Sequence, residues 1–159
     1  MNHPMTNQVR EKIKLYIKNQ IDISSLIQNI DIRGEDLSRA IIKTFNRPDD
    51  DISRCNFCQA IIGEESKITN LNRIKALNCN FHRVKFKGTV WVRNADFRNS
   101  NFREADMVAL DYKFSDFRNC DLCGVIIRMG SDRGMGAKVD QNFLQDLAGS
   151  WNVEVKLKS

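Results

Sequence analysis

Residues 95–124 determine the fold of this 159-residue chain, and they read ADFRN SNFRE ADMVA LDYKF SDFRN CDLCG. Each block of five has a large apolar residue in third place, which we call position i. A small or apolar residue stands at i−2, and Asp or Asn stands at i−1. Position i recurs eight times without a break, at Val92, Phe97, Phe102, Met107, Tyr112, Phe117, Leu122 and Ile127. A period of five fits neither an α-helix nor a single β-strand.

The same period extends upstream with irregularities. Phe81 and Phe86 lie one residue out of register, which indicates one residue inserted near Gly88. The segments 43–51 (KTFNRPDDD) and 63–67 (GEESK) are polar and carry Pro or Gly, so the sequence predicts a loop at each. The repeats therefore cover residues 25–128.

Only two residues in every five are apolar, and a single coil could not bury them. Stacked coils can, so the sequence predicts a solenoid. Asp or Asn at i−1 is expected to accept hydrogen bonds from backbone N–H groups of the turn. The runs ADFRN, SNFRE, ADMVA, SDFRN and CDLCG resemble the A(D/N)LxX motif of the pentapeptide-repeat family. That resemblance implies an all-β solenoid, a right-handed quadrilateral β-helix with four pentapeptides per coil.

The N-terminal segment 1–24 is expected to cap this solenoid. Within it, residues 6–20 place Val9, Ile13 and Ile17 on one helical face, and Thr6 or Asn7 is a suitable N-cap. A helix lying across the first coil would protect its exposed backbone. A basic helix lying on a membrane surface is the alternative interpretation.

The C-terminal part is predicted to have a Gly-rich linker over 129–139, then a helix and a strand over 140–159 for docking or oligomerisation. The strand prediction rests on strict alternation in the segment VEVKLK, residues 153–158. The strand would either close the final coil or pair with another chain, and the family resemblance implies that a C-terminal helix often mediates dimers. The predicted docking residues are Phe143, Leu144, Leu147, Trp151, Val153, Val155 and Leu157.

The chain carries few groups suited to catalysis or metal binding. The spacing of Cys55 and Cys58, and of Cys120 and Cys123, resembles a zinc motif, but the repeat separates the pairs by about three coils, roughly 14 Å. Inward side chains are expected to fill the coils and leave no interior pocket. We therefore predict a protein that is not an enzyme and that has no catalytic residues, metal site or cofactor. Five cysteines without a secretory signal or an 18-residue apolar stretch predict a cytoplasmic protein with no membrane span.

Basic residues recur at i+1 in the regular repeats. Between residues 79 and 128 there are nine Lys or Arg and six Asp or Glu, a regional net charge of +3. One interpretation is a basic stripe that docks an acidic partner, and the other is a set of solvated cations beside turn carboxylates. The stripe is predicted to contain Arg93, Arg98, Arg103, Lys113 and Arg118.

These features favour a non-catalytic protein–protein interaction or structural module, as a homo-oligomer or as a subunit of a larger assembly such as a phage or virion particle made in the cytoplasm. The alternative is a topoisomerase-binding protein, because some pentapeptide-repeat proteins mimic DNA and bind gyrase. The net charge of +5 has the wrong sign for that mimicry. Nucleic-acid binding ranks last, because the phenylalanine residues are expected to face inward.

Overall fold

The computed structural model of the protein describes residues 2–107 and 110–126. Its regular elements are short. Among these residues the helices are α1 (Asn7–Lys18) and α2 (Ser24–Ile27). The strands are β1 (His3–Pro4), β2 (Ile30–Asp31), β3 (Ile41–Ile42), β4 (Ile61–Ile62), β5 (Ile68–Asn70), β6 (Lys85–Phe86), β7 (Thr89–Trp91) and β8 (Leu110–Asp111).

The strands form small parallel sheets in which successive turns of the chain lie side by side. β3, β4 and β6 form one sheet, β5, β7 and β8 form another, and β1 pairs with β2. Outside the strands, isolated parallel bridges continue the stacking. One such column joins Asp36, Asn56, Asn80, Asn101 and Asp121. Apart from the pairing of β1 with β2, the parallel pairs are separated by 19 to 24 residues, which is the connectivity of a β-helix, as the family resemblance implied.

Two irregularities of the repeat pack against each other. The turn that includes the 63–67 loop is 24 residues long, since Ile61 pairs with Lys85, and the next turn is 21 residues long, since Lys85 pairs with Asp106. A Cβ built on Gly88 would lie 2.2 Å from the Glu64 carbonyl oxygen and 2.6 Å from that of Lys67. The single inserted residue must therefore be glycine, because it lies directly against the loop.

The loop predicted over 43–51 is wrong, because this segment continues the repeat. Arg47 stands at position i with Phe45 at i−2, and both are buried. The backbone N–H groups of Arg47 and Asp49 donate to the carbonyls of Asn70 and Asn72, as in a regular coil. A charged residue at an apolar position made the segment look like an insertion.

The core consists of the residues at i and i−2. Those at i from Val92 to Leu122 are buried, and so are those at i−2. Phenylalanine rings stack between successive turns, with ring centroids 5.3 Å apart for Phe57 and Phe81 and 4.7 Å apart for Phe81 and Phe102. Cys55, Cys79 and Cys120 are buried at i−2, as predicted, and burial raises the pKa of the Cys55 and Cys79 thiols to about 12. These thiols fill small inward positions.

Each turn of the repeat uses two local devices. The side chain at i−1 accepts the backbone N–H two residues later, as Asn101 does from Arg103 at 2.9 Å and Asp121 from Cys123 at 3.0 Å. The residue at i+2 adopts a positive φ, for example 56° at Asn94. The predicted role of Asp and Asn in the turns is confirmed.

Helix α1 packs across the first turns of the chain. Thr6 is its N-cap and accepts a hydrogen bond from the Val9 N–H at 3.3 Å. Ile13 is buried, and Val9, Tyr16 and Ile17 pack against the core. The apolar face of the helix is therefore in contact with the solenoid, within the segment 6–20 where a helix was expected.

Candidate interaction surface

The arginines at i+1 are mostly paired with the carboxylates at i−1 of their own repeat. Arg98 donates from Nε to Asp96 Oδ1 at 2.8 Å and from Nη2 to Asp96 Oδ2 at 2.7 Å. Arg118 makes the same pair with Asp116, at 2.9 and 2.6 Å. The sequence Asp-Phe-Arg therefore neutralises its own charge, because the guanidinium folds back over the turn.

The other members of the predicted basic stripe lie on different faces. Arg93 Nη2 contacts Asp111 Oδ2 at 2.6 Å, and Arg103 Nη1 lies 3.8 Å from Asp121 Oδ2. The 20-residue pairing of Trp91 with Asp111 places Arg93 above Lys113, and the pairing of Asp96 with Asp116 places Arg98 above Arg118. These two columns belong to consecutive repeats, and Arg103 to the next. The role of these cations as a docking stripe stays a prediction.

These ion pairs predict a loss of stability in acid. Hydrogen bonds from Arg33 hold the pKa of Asp31 at about 2, and the equivalent bonds from Arg98 and Arg118 lower the pKa of Asp96 and Asp116. Each of these carboxylates has a lower pKa in the folded state than in the unfolded state, so the unfolded state binds more protons in acid. The free energy of unfolding therefore falls as the pH drops from about 4 towards 2. Urea unfolding at a series of pH values measures this fall. Asp31→Asn should reduce the dependence on pH, and an unchanged dependence in that variant would contradict the assignment.

Exposed apolar side chains collect on the face formed by β5, β7 and β8. Ile68 begins β5 and is 53% exposed, Trp91 ends β7 and is half-buried, and Phe114 is 50% exposed. Ile68–Asn70 and Thr89–Trp91 are directly paired, and Phe114 follows β8 on the next turn. We call Ile68, Trp91, Arg93 and Phe114 the aromatic surface.

Arg93 is held in place within the aromatic surface. Its Cζ lies 5.2 Å from the centroid of the Trp91 ring, and its Nε and Nη2 donate to Asp111 Oδ2 at 3.0 and 2.6 Å. Asp111 is buried, and its other oxygen, Oδ1, has no hydrogen-bond partner among the described residues. The carboxylate therefore orients the guanidinium over the indole. A stacked Trp–Arg pair that is already ordered loses little side-chain entropy when a partner binds.

Phe114 occupies a backbone conformation that does not favour it. Its φ is 59°, in the left-handed region where a bulky side chain is strained, and the other described repeats place Asn, Asp, Arg, Glu, Gln or Gly there. Half of the side chain is exposed, so little packing offsets the strain. The fold alone does not account for phenylalanine at this position, and strain of this kind is typical of functional sites.

The expectation that the phenylalanine residues face inward is wrong for Phe114, and Trp91 is also partly exposed. The signal that identifies them is positional: Trp91 stands at i−1, where the regular repeats have Asp or Asn, and Phe114 stands at i+2, where they have turn residues. Phenylalanine at position i is a core residue. At i+2 the same residue points away from the core.

Several predictions lie outside the described residues or concern groups that the structure does not bring together. The docking residues Phe143, Leu144, Leu147, Trp151, Val153, Val155 and Leu157 lie beyond residue 126, outside the described part. Within residues 2–107 and 110–126, no group of three or more His, Cys, Asp or Glu side chains is placed to hold a metal ion. None of the helices in that part is long and apolar enough to cross a membrane.

Comparison with known proteins identifies the repeat. Residues 78–122 match the family model described as pentapeptide repeats, with eight copies. Residues 78–122 of the chain are therefore pentapeptide repeats. The matched residues include most of the blocks that define the period and all five predicted stripe cations. A search of curated proteins found no match.

Solved structures of pentapeptide-repeat and other proteins resemble the chain at low identity. Trypsin-treated QnrB1 with the substitution R167E, a plasmid-mediated fluoroquinolone resistance protein, is 18% identical with a TM-score of 0.40, over 76% of this chain and 65% of QnrB1. A pentapeptide-repeat protein from the thylakoid lumen of Arabidopsis thaliana is 20% identical with a TM-score of 0.31, over 67% of this chain and 59% of its own. Rfr23 from the cyanobacterium Cyanothece is 15% identical with a TM-score of 0.26, over 69% of this chain and 86% of its own. The chain spans less than two thirds of the first two proteins.

Proposed function

We propose that this protein is a non-catalytic interaction module that binds a protein partner through the aromatic surface. The observation that carries the proposal is the exposure of Phe114 and the partial exposure of Trp91, at positions where regular repeats have turn or polar residues. Trp and Arg are enriched among the residues that dominate binding energy at protein interfaces. Trp91 and Arg93 are already stacked, and Phe114 adds an exposed ring on the next turn.

A protein partner is favoured over nucleic acid by the state of the arginines. Arg93, Arg98 and Arg118 each donate to a carboxylate, so phosphate groups would have to compete with bonds that already exist. Binding to a duplex also depends on several unpaired cations acting together. Of the predicted stripe we retain Arg93 and Lys113, which lie on the face that carries the aromatic surface, as contacts for an acidic part of the partner.

Further proposals concern the path of the coils, the N-terminal cap and the cellular location of the protein. We propose that the coils follow the right-handed quadrilateral path implied by the family, and that β1 and α1 cap the first coil. The burial of Met5 and Ile13 supports this cap, since both side chains contact the core. The apolar face of α1 is used in that packing, which favours the cap over a membrane-surface helix. A cytoplasmic setting, and membership of a virion or other large particle, are further proposals.

Replacing the exposed Phe114 together with the half-buried Trp91 is expected to abolish partner binding. The double variant Trp91→Ala, Phe114→Asn should recover at least tenfold less of the partner that co-purifies with the native protein, while its far-ultraviolet spectrum stays unchanged. Asn suits the left-handed conformation, so Phe114→Asn should not unfold the turn. Leu15→Ala is the matched control, because Leu15 is also exposed but lies on α1. Equal recovery by the double variant and the native protein would contradict the proposal.

The topoisomerase alternative has its own assay. The purified protein is added at micromolar concentration to a gyrase supercoiling reaction, with the double variant beside it. We expect no effect from either protein, because the net charge of +5 is opposite in sign to the acidic surface that mimicry of DNA requires. Inhibition or protection of gyrase by the native protein would replace the present proposal with gyrase binding.

A further inference from the structure

The end of the solenoid nearest the N-terminus has an open groove of roughly 820 Å³. It lies between the segment 22–29, which contains α2, and the repeat 44–50. In this first turn the chain forms a short helix where later turns have an extended segment. At one edge of the groove, side chains accept the hydrogen bonds that a neighbouring strand would otherwise accept. The Lys43 N–H donates to Asp22 Oδ1 at 3.1 Å, and the Thr44 N–H donates to Ser24 Oγ at 2.9 Å.

Beyond Thr44 the backbone edge is unpaired. In later turns the carbonyls at i−1 and i+1 accept N–H groups from the preceding turn, as Trp91 does from Leu71 at 2.7 Å and Arg93 from Arg73 at 2.8 Å. Asn46 and Pro48 hold the same two places at the groove. Among the hydrogen bonds of residues 2–107 and 110–126, none uses the Asn46 N–H, the Asn46 C=O or the Pro48 C=O. An unpaired donor and two acceptors in this arrangement form a template for one added parallel strand.

The chemistry of the groove indicates which strand it would accept. Its floor contains the buried apolar side chains of Ile27 and Phe45, and its walls carry Asp22, Asp49 and Asp50 against the single cation Arg47. An incoming strand should therefore have one apolar face and a basic opposite face. Residues 153–158 have this pattern, with Val153, Val155 and Leu157 alternating with Glu154, Lys156 and Lys158. The charge on the three polar residues is +1, opposite to that of the groove.

We propose that the groove binds residues 153–158 of a second copy of the chain as an added strand. The described solenoid ends at Ile126, which is the last rung of the column that starts at Asp22 and Ile41. The chain therefore leaves the rod at the end opposite the groove, and a second copy placed end to end brings its C-terminal segment to the groove. This contact joins two different surfaces, so it builds linear head-to-tail assemblies. The inference is independent of the aromatic surface and of the partner proposed for it.

The test is the concentration dependence of the assembly of the full chain, measured by sedimentation velocity. We expect association that Val155→Pro weakens at least tenfold, because proline removes a main-chain donor from the added strand. Ser25→Lys with Gln28→Lys should weaken it similarly, since both residues are exposed in the groove and the new charges repel Lys156 and Lys158. Adding Lys156→Glu and Lys158→Glu to that groove variant should restore association. Gln8→Lys with Ser66→Lys adds the same charge outside the groove and should change nothing.

Hydrogen exchange locates the contact. The Asn46 amide should be protected at high protein concentration and become exchangeable on dilution, in parallel with dissociation. A monomer at all concentrations would overturn the inference, and so would association that is insensitive to Val155→Pro and to the groove variant. Protection of Asn46 that persists in a monomer would also overturn it, because the chain's own C-terminal segment would then occupy the groove.

Discussion

Phe102→Ala is expected to lower the free energy of unfolding by about 3–5 kcal/mol. The Phe102 ring is fully buried at the centre of the aromatic stack, with centroids 4.7 Å from Phe81, 5.3 Å from Phe97 and 5.6 Å from Phe117. Removing the ring leaves a cavity between turns that a solenoid cannot close, because each turn is fixed by main-chain hydrogen bonds to the turns on either side. Urea unfolding followed by circular dichroism measures the change.

Phe114→Ala provides the matched control for this prediction. It removes the same ring from the same chain, but the Phe114 side chain is exposed, so we expect a change within about 0.5 kcal/mol of zero. Because both variants lose the same side chain, the difference between their free energies of unfolding measures what burial of the ring contributes. Similar losses in both variants would contradict the inward and outward placement of the two rings.

The core of this protein could be predicted because the five-residue period assigns a direction to every side chain. Phe97 and Phe102 are buried as position i requires, and Cys120 is buried as position i−2 requires. The same rule predicted the turn role of Asp121, whose side chain accepts a backbone N–H. A solenoid repeats one local geometry many times, so local sequence determines most of the fold.

The five-residue period gave a wrong prediction at Arg47, where the sequence departs from the repeat pattern although the backbone keeps the repeat geometry. Arg47 was assigned to a loop because a charged residue in the core position looks like an interruption. The repeat continues there because the guanidinium is satisfied by the nearby Asp50 carboxylate and by the distant carbonyls of Ile27 and Ile30, and no local pattern contains those two carbonyls. The one-residue insertion at Gly88 was visible as a change of frame, but its packing against the carbonyl of Glu64 depends on a contact between turns.

The candidate surface was predicted in part. The sequence located the cations correctly at i+1, and the pairing of Arg98 with Asp96 could have been inferred, since Asp at i−1 and Arg at i+1 flank one inward residue on the same turn. The division of the cations among faces follows from the number of repeats per turn. Phe114 was missed because phenylalanine was treated as a core residue wherever it occurred, and Trp91 was missed because it stands at i−1, outside the two inward positions.

Arg47→Met is expected to lower the free energy of unfolding by about 3–5 kcal/mol, although methionine is apolar and fits a core position. The Arg47 side chain is nearly fully buried. Its Nη2 donates to the Ile30 carbonyl at 2.6 Å, its Nη1 to the Ile27 carbonyl at 3.4 Å, and its guanidinium forms an ion pair with Asp50. Methionine leaves two carbonyl groups without a donor and a mostly buried carboxylate without a cation, and both losses carry a desolvation cost.

Arg33→Met is the control for the buried pair. Arg33 forms an ion pair with Asp31 at 2.5 Å, but about half of its side chain is exposed, so its loss should cost less than about 1 kcal/mol. The double variant Arg47→Met, Asp50→Asn should be less destabilised than the sum of its single variants by about 1–3 kcal/mol, because removing the carboxylate charge relieves part of the penalty. Chemical unfolding of the four variants and the native protein supplies all the differences. Equal losses of unfolding free energy from Arg47→Met and Arg33→Met would contradict the burial of Arg47. Residues 43–51 would then be better described as a loop.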